Sequence, residues 1–484
     1  MNAIASEKSI SDLSAYVRSR MGLNFPRERW GELEKKIVLA VDSFGFPDTP
    51  SCIQWILSSR TDKRQLEILA SCLTVGETFF FRENKSLLAL TERVFPEIIR
   101  AHAHGDRRVR IWSAGCSTGE EPYSVAMMVS EYPGLQGWEV SILGTDINQT
   151  FLRKAEAGSY TEWSFRGVAP GIREKFFQKG KGSTFEILPA IKAMVTFAHL
   201  NLIDDVYPAL LNNTNAVDLI LCRNVLMYFT PDYVQKVIDK LQQSLLPAGW
   251  LLVSPVEAPL VHRSIFTPLA RTGALLQKKA TETPEHKAIV YDRIPRPEPR
   301  RPAPVAERLR PAATYPRAME LYANAEYTGA IEILNVLASR PAAEAPVFQL
   351  LSRAYANKGR LSEADAWCLR AIAADTMNAA SRYLLALIRI EQLRPDDAMS
   401  ALRKAIYLEP DFVVAHFTLA NLYRRRRKHG ESERHLRNAL RALQGFRPEE
   451  ELPESEGMTA GNLIEMIEAT RANGGSNGQR RIDR

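Results

Sequence analysis

The spacing of hydrophobic positions changes at about residue 107, and this change predicts two kinds of structure. In the first 95 residues, apolar side chains recur every three to four positions, as at Leu66, Leu69 and Leu73. That is the spacing of one face of an α-helix. We therefore expect residues 1–95 to form an N-terminal α-helical domain that ends in a linker.

From about residue 107, short aliphatic runs alternate with helix-like stretches. The strand candidates cover residues 109–113, 140–144, 218–222 and 250–254. Strands that alternate with helices predict a mainly parallel sheet built from βα units. Glycine-punctuated short runs between about 160 and 200 interrupt this pattern and predict a small β-rich insertion. We expect one catalytic-type domain over residues 96–290.

The C-terminal part of the chain contains an internal repeat of 34 residues. It appears in the alanine triplet Ala330, Ala364 and Ala398, and also in Leu351, Leu385, Leu419 and in Ala371, Ala405, Ala439. Small residues at this period on helical segments resemble tetratricopeptide (TPR) repeats. We expect an all-α TPR solenoid over residues 316–445.

Two segments flank the repeats. Residues 291–315 are rich in proline and arginine, which is typical of an extended, semi-rigid linker. Residues 446–484 are polar and end in GGSNGQRRIDR, which favours a frayed tail. Residues 459–470 could form one more helix.

Composition sets broad limits. A length of 484 residues predicts about two to four domains. A hydrophobic content of 45% and a charged content of 25% exclude wholesale disorder. No apolar run approaches the ~18–20 residues of a membrane span, and no signal peptide is visible. The cysteines are scattered, which fits a reducing cytoplasm. A net charge of +7 permits an acidic partner but does not require one.

The segment WSAGCSTGEEPYS follows the first strand candidate and forms a loop of small residues. Gly115 and Gly119 let the backbone approach a ligand closely. The loop matches neither the dinucleotide-binding nor the P-loop pattern, which disfavours a phosphate ligand. Glu120 and Glu121 suit a cationic or hydroxyl-bearing ligand, although they could equally compensate the helix dipole.

Asp146 follows the second strand candidate, in the segment GTDIN. An acidic residue at this place in a Rossmann-like unit binds ribose hydroxyls. The alternative is a carboxylate that caps the next helix. With the glycine loop, Asp146 indicates an adenosine-bearing ligand without pyrophosphate, and S-adenosylmethionine (SAM) fits that description.

Two further segments place polar residues beside apolar ones. In LTVGETFFFRE, three phenylalanines precede Arg82 and are expected to bury the end of the helical domain against the sheet domain. Arg82 would then lie at the junction, unless it forms a surface ion pair with Glu77 or Glu83. In CRNVLMYF, Arg223 and Asn224 end a buried-type strand, where polar residues face the ligand crevice, although the alternative is an ordinary strand-to-helix connection with a core tyrosine.

These segments, with Asn201-Leu202, resemble the CheR family of chemotaxis receptor glutamate methyltransferases over about residues 10–285. The repeats make the chain similar to the CheR–TPR fusion subtype, as in the methyltransferase of the Wsp surface-sensing system. The resemblance implies a Rossmann-like α/β methyltransferase domain with a small β-subdomain. It also implies SAM-dependent methylation of glutamates on the cytoplasmic domain of chemoreceptors, with S-adenosylhomocysteine (SAH) as product.

The resemblance also assigns individual residues. Cofactor contacts fall on Thr78, Arg82, Gly115, Glu121, Asp146, Asn201, Leu202, Arg223 and Asn224. Arg82 and the active-site tyrosine Tyr228 are the candidates for orienting the carboxylate or the methyl group. Gly76 stands where enteric members carry an asparagine that touches the cofactor. A glutamate carboxylate is already ionised at neutral pH, so the reaction needs neither a general base nor a metal.

Other functions remain open. A NAD-dependent oxidoreductase is disfavoured because the glycine-rich fingerprint is missing. A non-catalytic SAM-binding scaffold that acts through its repeats is the main alternative. The basic run at residues 424–428 could suggest nucleic-acid binding, but it has no interleaved aromatics and is typical of a solvated helix face. We expect a cytoplasmic protein recruited to receptor arrays, with an unidentified protein partner for the repeats.

Overall fold

A computed structural model describes residues 6–58, 63–102, 107–169, 171–209, 212–261, 266–270, 275–279, 314–323, 326–340, 343–392, 394–455 and 458–475. The chain divides into two compact units. One unit contains Met1–Lys279 and Asp411–Arg484, and the other contains Ala280–Pro410. Apart from Thr314 and Tyr315, the predicted proline-rich linker lies outside the described residues.

The first unit begins with the predicted helices. These are α1 (Glu7–Met21), α2 (Trp30–Phe44), α3 (Thr49–Ser58), α4 (Lys63–Leu73), α5 (Asn84–Ala89) and α6 (Phe95–Ala101). Helix α1 begins where the Ser6 hydroxyl accepts the Ser9 N–H at 3.1 Å, and it ends at Gly22, whose φ is 71°. Helices α1 to α4 share a core built from leucine, isoleucine and valine side chains.

The strands that follow confirm the predicted α/β domain. They are β1 (Arg108–Ala114), β2 (Glu139–Asp146), β3 (Ser159–Tyr160), β4 (Phe177–Lys179), β5 (Phe185–Ile187), β6 (Val195–His199), β7 (Val217–Leu221), β8 (Leu245–Val253), β9 (Phe266–Ala270) and β10 (Leu275–Lys279). The intervening helices are α7 (Glu120–Glu131), α8 (Gln149–Ala157), α9 (Ile172–Phe176), α10 (Pro189–Lys192), α11 (Pro231–Ser244) and α12 (Ala258–Val261).

The main sheet has the strand order β6-β2-β1-β7-β8-β10-β9. The strands from β6 to β8 are parallel, whereas β10 and β9 run antiparallel. The chain moves outward from β1 to β6 and then returns to β7, so the direction of winding reverses between β1 and β7. Ligands bind at the carboxyl ends of the strands at such a reversal.

The predicted β-rich insertion is present as a small antiparallel sheet, β3-β5-β4. Strand β6 lies in the segment predicted for this insertion but pairs with β2 in the main sheet. Of the three consecutive phenylalanines, Phe80 is buried and packs on Tyr160, Phe165 and Phe177 of the insertion. The ring centroids of Phe80 and these residues are 4.8–5.1 Å apart. Phe80 therefore anchors the segment before Arg82 to the insertion.

The second unit consists of helix pairs and confirms the TPR prediction. Its helices are α13 (Tyr315–Ala323), α14 (Tyr327–Ala338), α15 (Ala345–Asn357), α16 (Leu361–Ala374), α17 (Ala379–Glu391) and α18 (Pro395–Leu408). Ala330, Ala364 and Ala398 of the 34-residue repeat are fully buried. Small side chains at these positions allow neighbouring helices to approach closely.

The chain ends with α19 (Val413–Arg425), α20 (His429–Leu443) and α21 (Ala460–Gly475), which belong to the first unit. Helix α21 contains residues 460–470 of the segment 459–470 that the sequence offered as a further helix within the predicted polar tail, and it buries Leu463 and Ile467. Among the described helices, none has the length and apolar composition needed to cross a membrane.

Candidate functional site

A cleft with about 830 Å³ of empty space, including the solvent at its mouth, opens in the first unit at the carboxyl ends of β1 and β2. Gly115, Asp146 and Tyr228 line it from the sheet domain, and Lys36 on α2 and Arg29 in the turn before α2 line it from the helical domain. A smaller pocket of about 480 Å³ adjoins this cleft. The cleft and the pocket share the wall residues Val75, Gly115, Ser117 and Asn224.

Every residue that the sequence assigned to the site lines one of these two cavities. The cleft is lined by Gly115, Asp146, Asn201, Leu202, Asn224 and Tyr228. The smaller pocket is lined by Thr78, Arg82, Gly115, Glu121, Arg223 and Asn224. The two candidate catalytic residues, Arg82 and Tyr228, are thus on different cavities. Their assigned roles stay predictions.

The glycine loop after β1 is held close to the neighbouring chain. The Gly115 and Cys116 N–H groups donate to the Thr145 carbonyl at 2.8 and 2.9 Å. Gly115 has a φ of 79°, and a Cβ there would lie 2.4 Å from Val225 Cγ2. Any side chain would be both strained and in collision with Val225. The bare backbone therefore forms the wall that both cavities share.

Asp146 ends β2 and is fixed by the glycine loop. Its Oδ2 accepts the Ser117 N–H at 2.9 Å, and its Oδ1 accepts the Asn148 N–H at 2.8 Å. Burial raises the pKa of Asp146 to about 6, although these hydrogen bonds oppose the shift. Each oxygen keeps a further lone pair, so the carboxylate can accept hydroxyl groups of a ligand in the cleft.

Arg223 is the buried centre of a charge cluster. Its side chain is 2% exposed, and it donates to Glu121 at 2.9 Å and to Glu83 at 3.1 Å. It also donates to the Arg82 carbonyl at 2.7 Å. The cluster contains two carboxylates and one guanidinium, so it has an excess negative charge that suits a cationic group. Both terminal nitrogens of Arg223 are thus occupied by protein partners, whereas its buried Nε has no hydrogen-bond partner within the described residues.

The adjacent glutamates Glu120 and Glu121 have different surroundings. Glu121 lines the smaller pocket and accepts the Ser113 hydroxyl at 2.7 Å. Glu120 is buried, and it accepts the hydroxyls of Thr118 at 2.6 Å and Ser164 at 3.0 Å. Burial raises the pKa of Glu120. Only Glu121 of this pair is therefore available to a ligand in the pocket.

Arg82 forms no ion pair within the described part of the chain. Its Nη1 donates to the Glu77 carbonyl at 2.5 Å. The carboxylate of Glu77 pairs with Arg166, and that of Glu83 pairs with Arg223. The surface ion pair considered from the sequence is therefore not formed. Arg82 remains a cation on the pocket wall with capacity to bind a carboxylate.

Asn201 joins the helical domain to the sheet domain. Its Nδ2 donates to the Arg20 carbonyl at 3.0 Å and to Asp204 Oδ1 at 3.1 Å. Leu202 is buried and contributes an apolar surface to the cleft. The segment therefore closes one end of the cleft, with its amide donors already used by the protein.

The sequence reasoning missed Glu257. This buried carboxylate accepts the N–H groups of Asn224 at 2.7 Å, Val225 at 2.6 Å and Met227 at 3.3 Å. It thereby holds the turn that carries Asn224, whose φ is 57°. Glu257 follows the carboxyl end of β8. The rule that singled out polar residues after the other parallel strands could have found it.

The wall contributed by α2 was also missed. Lys36 Nζ donates to the carbonyl of Leu73, the last residue of α4, at 3.0 Å. Burial lowers the pKa of Lys36. Arg29 donates to the Asn24 carbonyl at 3.1 Å and pairs with Glu32. No sequence motif marks these residues, because their contacts with the cleft depend on the packing of α2.

The donor set of the two cavities fits SAM. Phe151 and Leu202 give the cleft apolar surface for an adenine ring, and Asp146 can accept ribose hydroxyls. The excess carboxylate of the Arg223 cluster suits a sulfonium or ammonium group. A Cβ at Gly76 would lie 2.6 Å from the Phe151 ring, so that ring fills the place of a side chain at position 76.

Comparisons with known proteins agree with this geometry. The family model "CheR methyltransferase, SAM binding domain" matches residues 76–271, and a tetratricopeptide repeat model matches residues 345–376 and 379–412. The chain is 33% identical over 219 residues to Chemotaxis protein methyltransferase 1 of Pseudomonas aeruginosa, covering 44% of this chain and 77% of that protein. It is 32% identical over 265 residues to Chemotaxis protein methyltransferase of Vibrio parahaemolyticus. That alignment covers 53% of this chain and 92% of the Vibrio protein.

A further relative spans both parts of the chain. Probable biofilm formation methyltransferase WspC of Pseudomonas aeruginosa is 29% identical over 386 residues, covering 78% of this chain and 86% of that protein. The chain therefore belongs to the CheR methyltransferase family, and it carries a SAM-dependent methyltransferase domain and TPR repeats. Within the described residues, no group of three or more His, Cys, Asp or Glu could hold a metal ion.

Proposed function

We propose that this protein methylates glutamate side-chain carboxylates of chemoreceptors, using SAM and giving glutamate methyl esters and SAH. The observation that carries this proposal is Arg82, a cation without a carboxylate partner in the described part of the chain. It lies on the pocket that adjoins the cofactor cleft. The relatives named as chemotaxis protein methyltransferases support a chemoreceptor as the substrate.

The chemistry requires alignment more than activation. A glutamate side chain with a pKa near about 4.3 is ionised at neutral pH. When bound, SAM supplies a methyl group on a positively charged sulfur. The carboxylate oxygen forms the new bond to that methyl carbon, and the electrons of the broken carbon–sulfur bond stay on the sulfur of SAH. No proton moves, so no side chain has to act as a base.

The protein's residues serve to bind and orient. Asp146 binds the ribose hydroxyls, and the cluster of Arg223, Glu83 and Glu121 favours the cationic end of the cofactor. Arg82 binds the substrate carboxylate in the smaller pocket. The Tyr228 hydroxyl makes no hydrogen bond within the described residues, so it is available to orient the reacting groups from the cleft. Such positioning can contribute roughly 7–11 kcal/mol.

The test is incubation with tritiated SAM and membranes that hold candidate chemoreceptors. We expect label on a receptor band, released by mild base because methyl esters are base-labile. A receptor whose target glutamates are changed to alanine is the matched control and should remain unlabelled. SAH binding without label on any receptor would instead support the alternative function, a non-catalytic SAM-binding scaffold.

We further propose that the domains are separable and that the repeats bind a protein partner in the cytoplasm, near receptor arrays. The proposed boundaries are 1–95, 96–290, 291–315, 316–445 and 446–484. The Vibrio relative supports separability, because 92% of its length aligns with only 53% of this chain.

A chain that ends at Ala288 should bind SAH normally and lose localisation in cells. Loss of SAH binding would contradict separability and would show that residues after Ala288 complete the catalytic unit.

A further inference from the structure

A large aromatic side chain is exposed beside the smaller pocket. Trp163 lies in the turn Glu162–Phe165 of the insertion and is 67% exposed. Burying a tryptophan side chain removes a large apolar area from water, so a tryptophan left exposed is unfavourable in free energy. An aromatic residue that is exposed next to a binding pocket is a candidate contact for a partner protein.

Arg166 links Trp163 to the pocket. Its guanidinium carbon lies 4.3 Å from the ring centroid of Trp163 and 4.3 Å from that of Phe79. Phe79 lines the smaller pocket, as does Glu77, the ion-pair partner of Arg166. The two rings and the guanidinium thus form one continuous surface that extends from the pocket wall to solvent. Stacking and the ion pair hold this surface in place without a ligand.

The charges around the pocket indicate what this surface accepts. Arg166 is neutralised by Glu77, and Glu121 is paired with Arg223. Arg82 is therefore the site for an added carboxylate, whereas the Trp163 surface is neutral and aromatic. Val75, which lines both cavities and is 47% exposed, adds further apolar surface. The complementary partner has a carboxylate and an apolar side chain close together.

We propose that Trp163, Arg166 and Phe79 form a docking surface for the protein substrate. This surface binds an apolar side chain of the acidic segment that presents its carboxylate to Arg82. On a helix, residues three or four positions apart lie on one face, so an acidic and an apolar side chain of the same segment can both face the enzyme. The inference rests on the proposed function, and it names the substrate feature that the enzyme recognises beyond the carboxylate.

The test is Trp163→Ala in the full-length protein, with initial rates measured on a purified receptor fragment. We expect kcat/KM to fall about tenfold or more through a higher KM, with kcat nearly unchanged. The Kd for SAH from calorimetry and the melting temperature should stay at the wild-type values, because the side chain is exposed. Trp163→Phe should restore most of the activity. Tyr407→Ala on α18, where the side chain is 86% exposed, is the matched control and should leave kcat/KM unchanged.

The outcomes separate this inference from the proposed function. Wild-type protein that labels no receptor contradicts the function, and the docking surface is then rejected with it. Labelling by wild type and an unchanged kcat/KM for Trp163→Ala reject the docking surface alone. A parallel loss of SAH affinity also rejects it, because Trp163 would then act on the cofactor site.

Discussion

The cleft and the smaller pocket share a wall but differ in chemistry. The cleft has apolar surface and a fixed acid, Asp146, whose pKa is raised by burial. The pocket is lined by four charged side chains, namely Glu77, Arg82, Glu121 and Arg223. Within the described chain, three of them form ion pairs, whereas Arg82 has no side-chain partner of opposite charge. We therefore expect the cleft to bind the adenosine part of the cofactor, and the smaller pocket to face its cationic end and to orient the substrate carboxylate through Arg82. Substitutions in the two cavities should therefore change different measured quantities.

Arg82→Ala should have the largest effect. It removes the cation proposed to orient the substrate carboxylate, and loss of such a preorganised donor lowers kcat by about 10²–10³-fold. Because Arg82 forms no ion pair within the described residues, the melting temperature should change little. Arg93→Ala, which removes an exposed ion pair with Glu97 away from both cavities, is the control. A large loss of stability with normal turnover per folded molecule would show that Arg82 serves the fold.

Glu257→Gln should lower the stability of the wall that both cavities share. Glu257 holds the turn that carries Asn224, which lines both cavities. A carboxylate accepts several N–H groups, whereas one end of a glutamine amide can only donate. Leaving a buried backbone N–H without an acceptor costs about 1–3 kcal/mol, which denaturant unfolding can measure. Glu120→Gln is the matched control, because the hydroxyls around Glu120 can reverse their hydrogen bonds. Equal stability of the two variants would contradict this account.

Asp146→Ala should change cofactor affinity and have less effect on kcat. Loss of a charge-assisted hydrogen bond to the ribose weakens binding by about 1–3 kcal/mol. Calorimetry with SAH measures this directly. We expect a higher Kd for SAH. At saturating SAM, the kcat of Asp146→Ala should be closer to the wild-type value than the kcat of Arg82→Ala is. An unchanged Kd would remove Asp146 from the cofactor site.

The raised pKa of Asp146 predicts a pH dependence. Burial disfavours the ionised form of Asp146. The free energy of unfolding of the cofactor-free protein should therefore fall as pH rises through about 6 and Asp146 ionises. Hydroxyl donors from a bound cofactor favour the ionised form, so SAH affinity should fall as pH drops below about 6. The control is Asp146→Asn, which cannot titrate, and its affinity should be flat across this range. A pH profile that is the same in both proteins would assign the titration to another group.

Tyr228→Phe should have the smallest effect. It removes only the hydroxyl, which makes no hydrogen bond within the described residues, so stability should be unchanged. We expect a kcat reduction of a few fold if the hydroxyl orients a reacting group. Full activity would limit Tyr228 to packing in the cleft. Single-turnover rates at saturating SAM would separate these outcomes.

Local sequence patterns were enough to predict the main architecture. The runs at 109–113 and 140–144 lie within β1 and β2, because short runs rich in β-branched, aliphatic and aromatic residues favour strands. Asp146 and Arg223 were found because polar residues after such strands meet at one edge of the sheet. The 34-residue period likewise predicted the TPR helices, because each repeat uses small residues at the same packing positions.

Contacts between distant segments could not be predicted in this way. Glu257 acts on a turn about thirty residues earlier in the chain, and Arg223 pairs with Glu121, about a hundred residues away. Lys36 reaches the cleft only because α2 packs against α4. Periodicity within one segment carries no information on such pairings.

The most direct test of the central claim is to locate the transferred methyl group. A receptor fragment would be incubated with the wild-type protein and SAM, digested, and sequenced by tandem mass spectrometry. Our account predicts one added methyl group on a glutamate side chain, lost as methanol in mild base and formed at a rate about 10²–10³-fold lower by Arg82→Ala. A base-stable methyl group on a lysine or arginine, or the same labelling by Arg82→Ala, would contradict it.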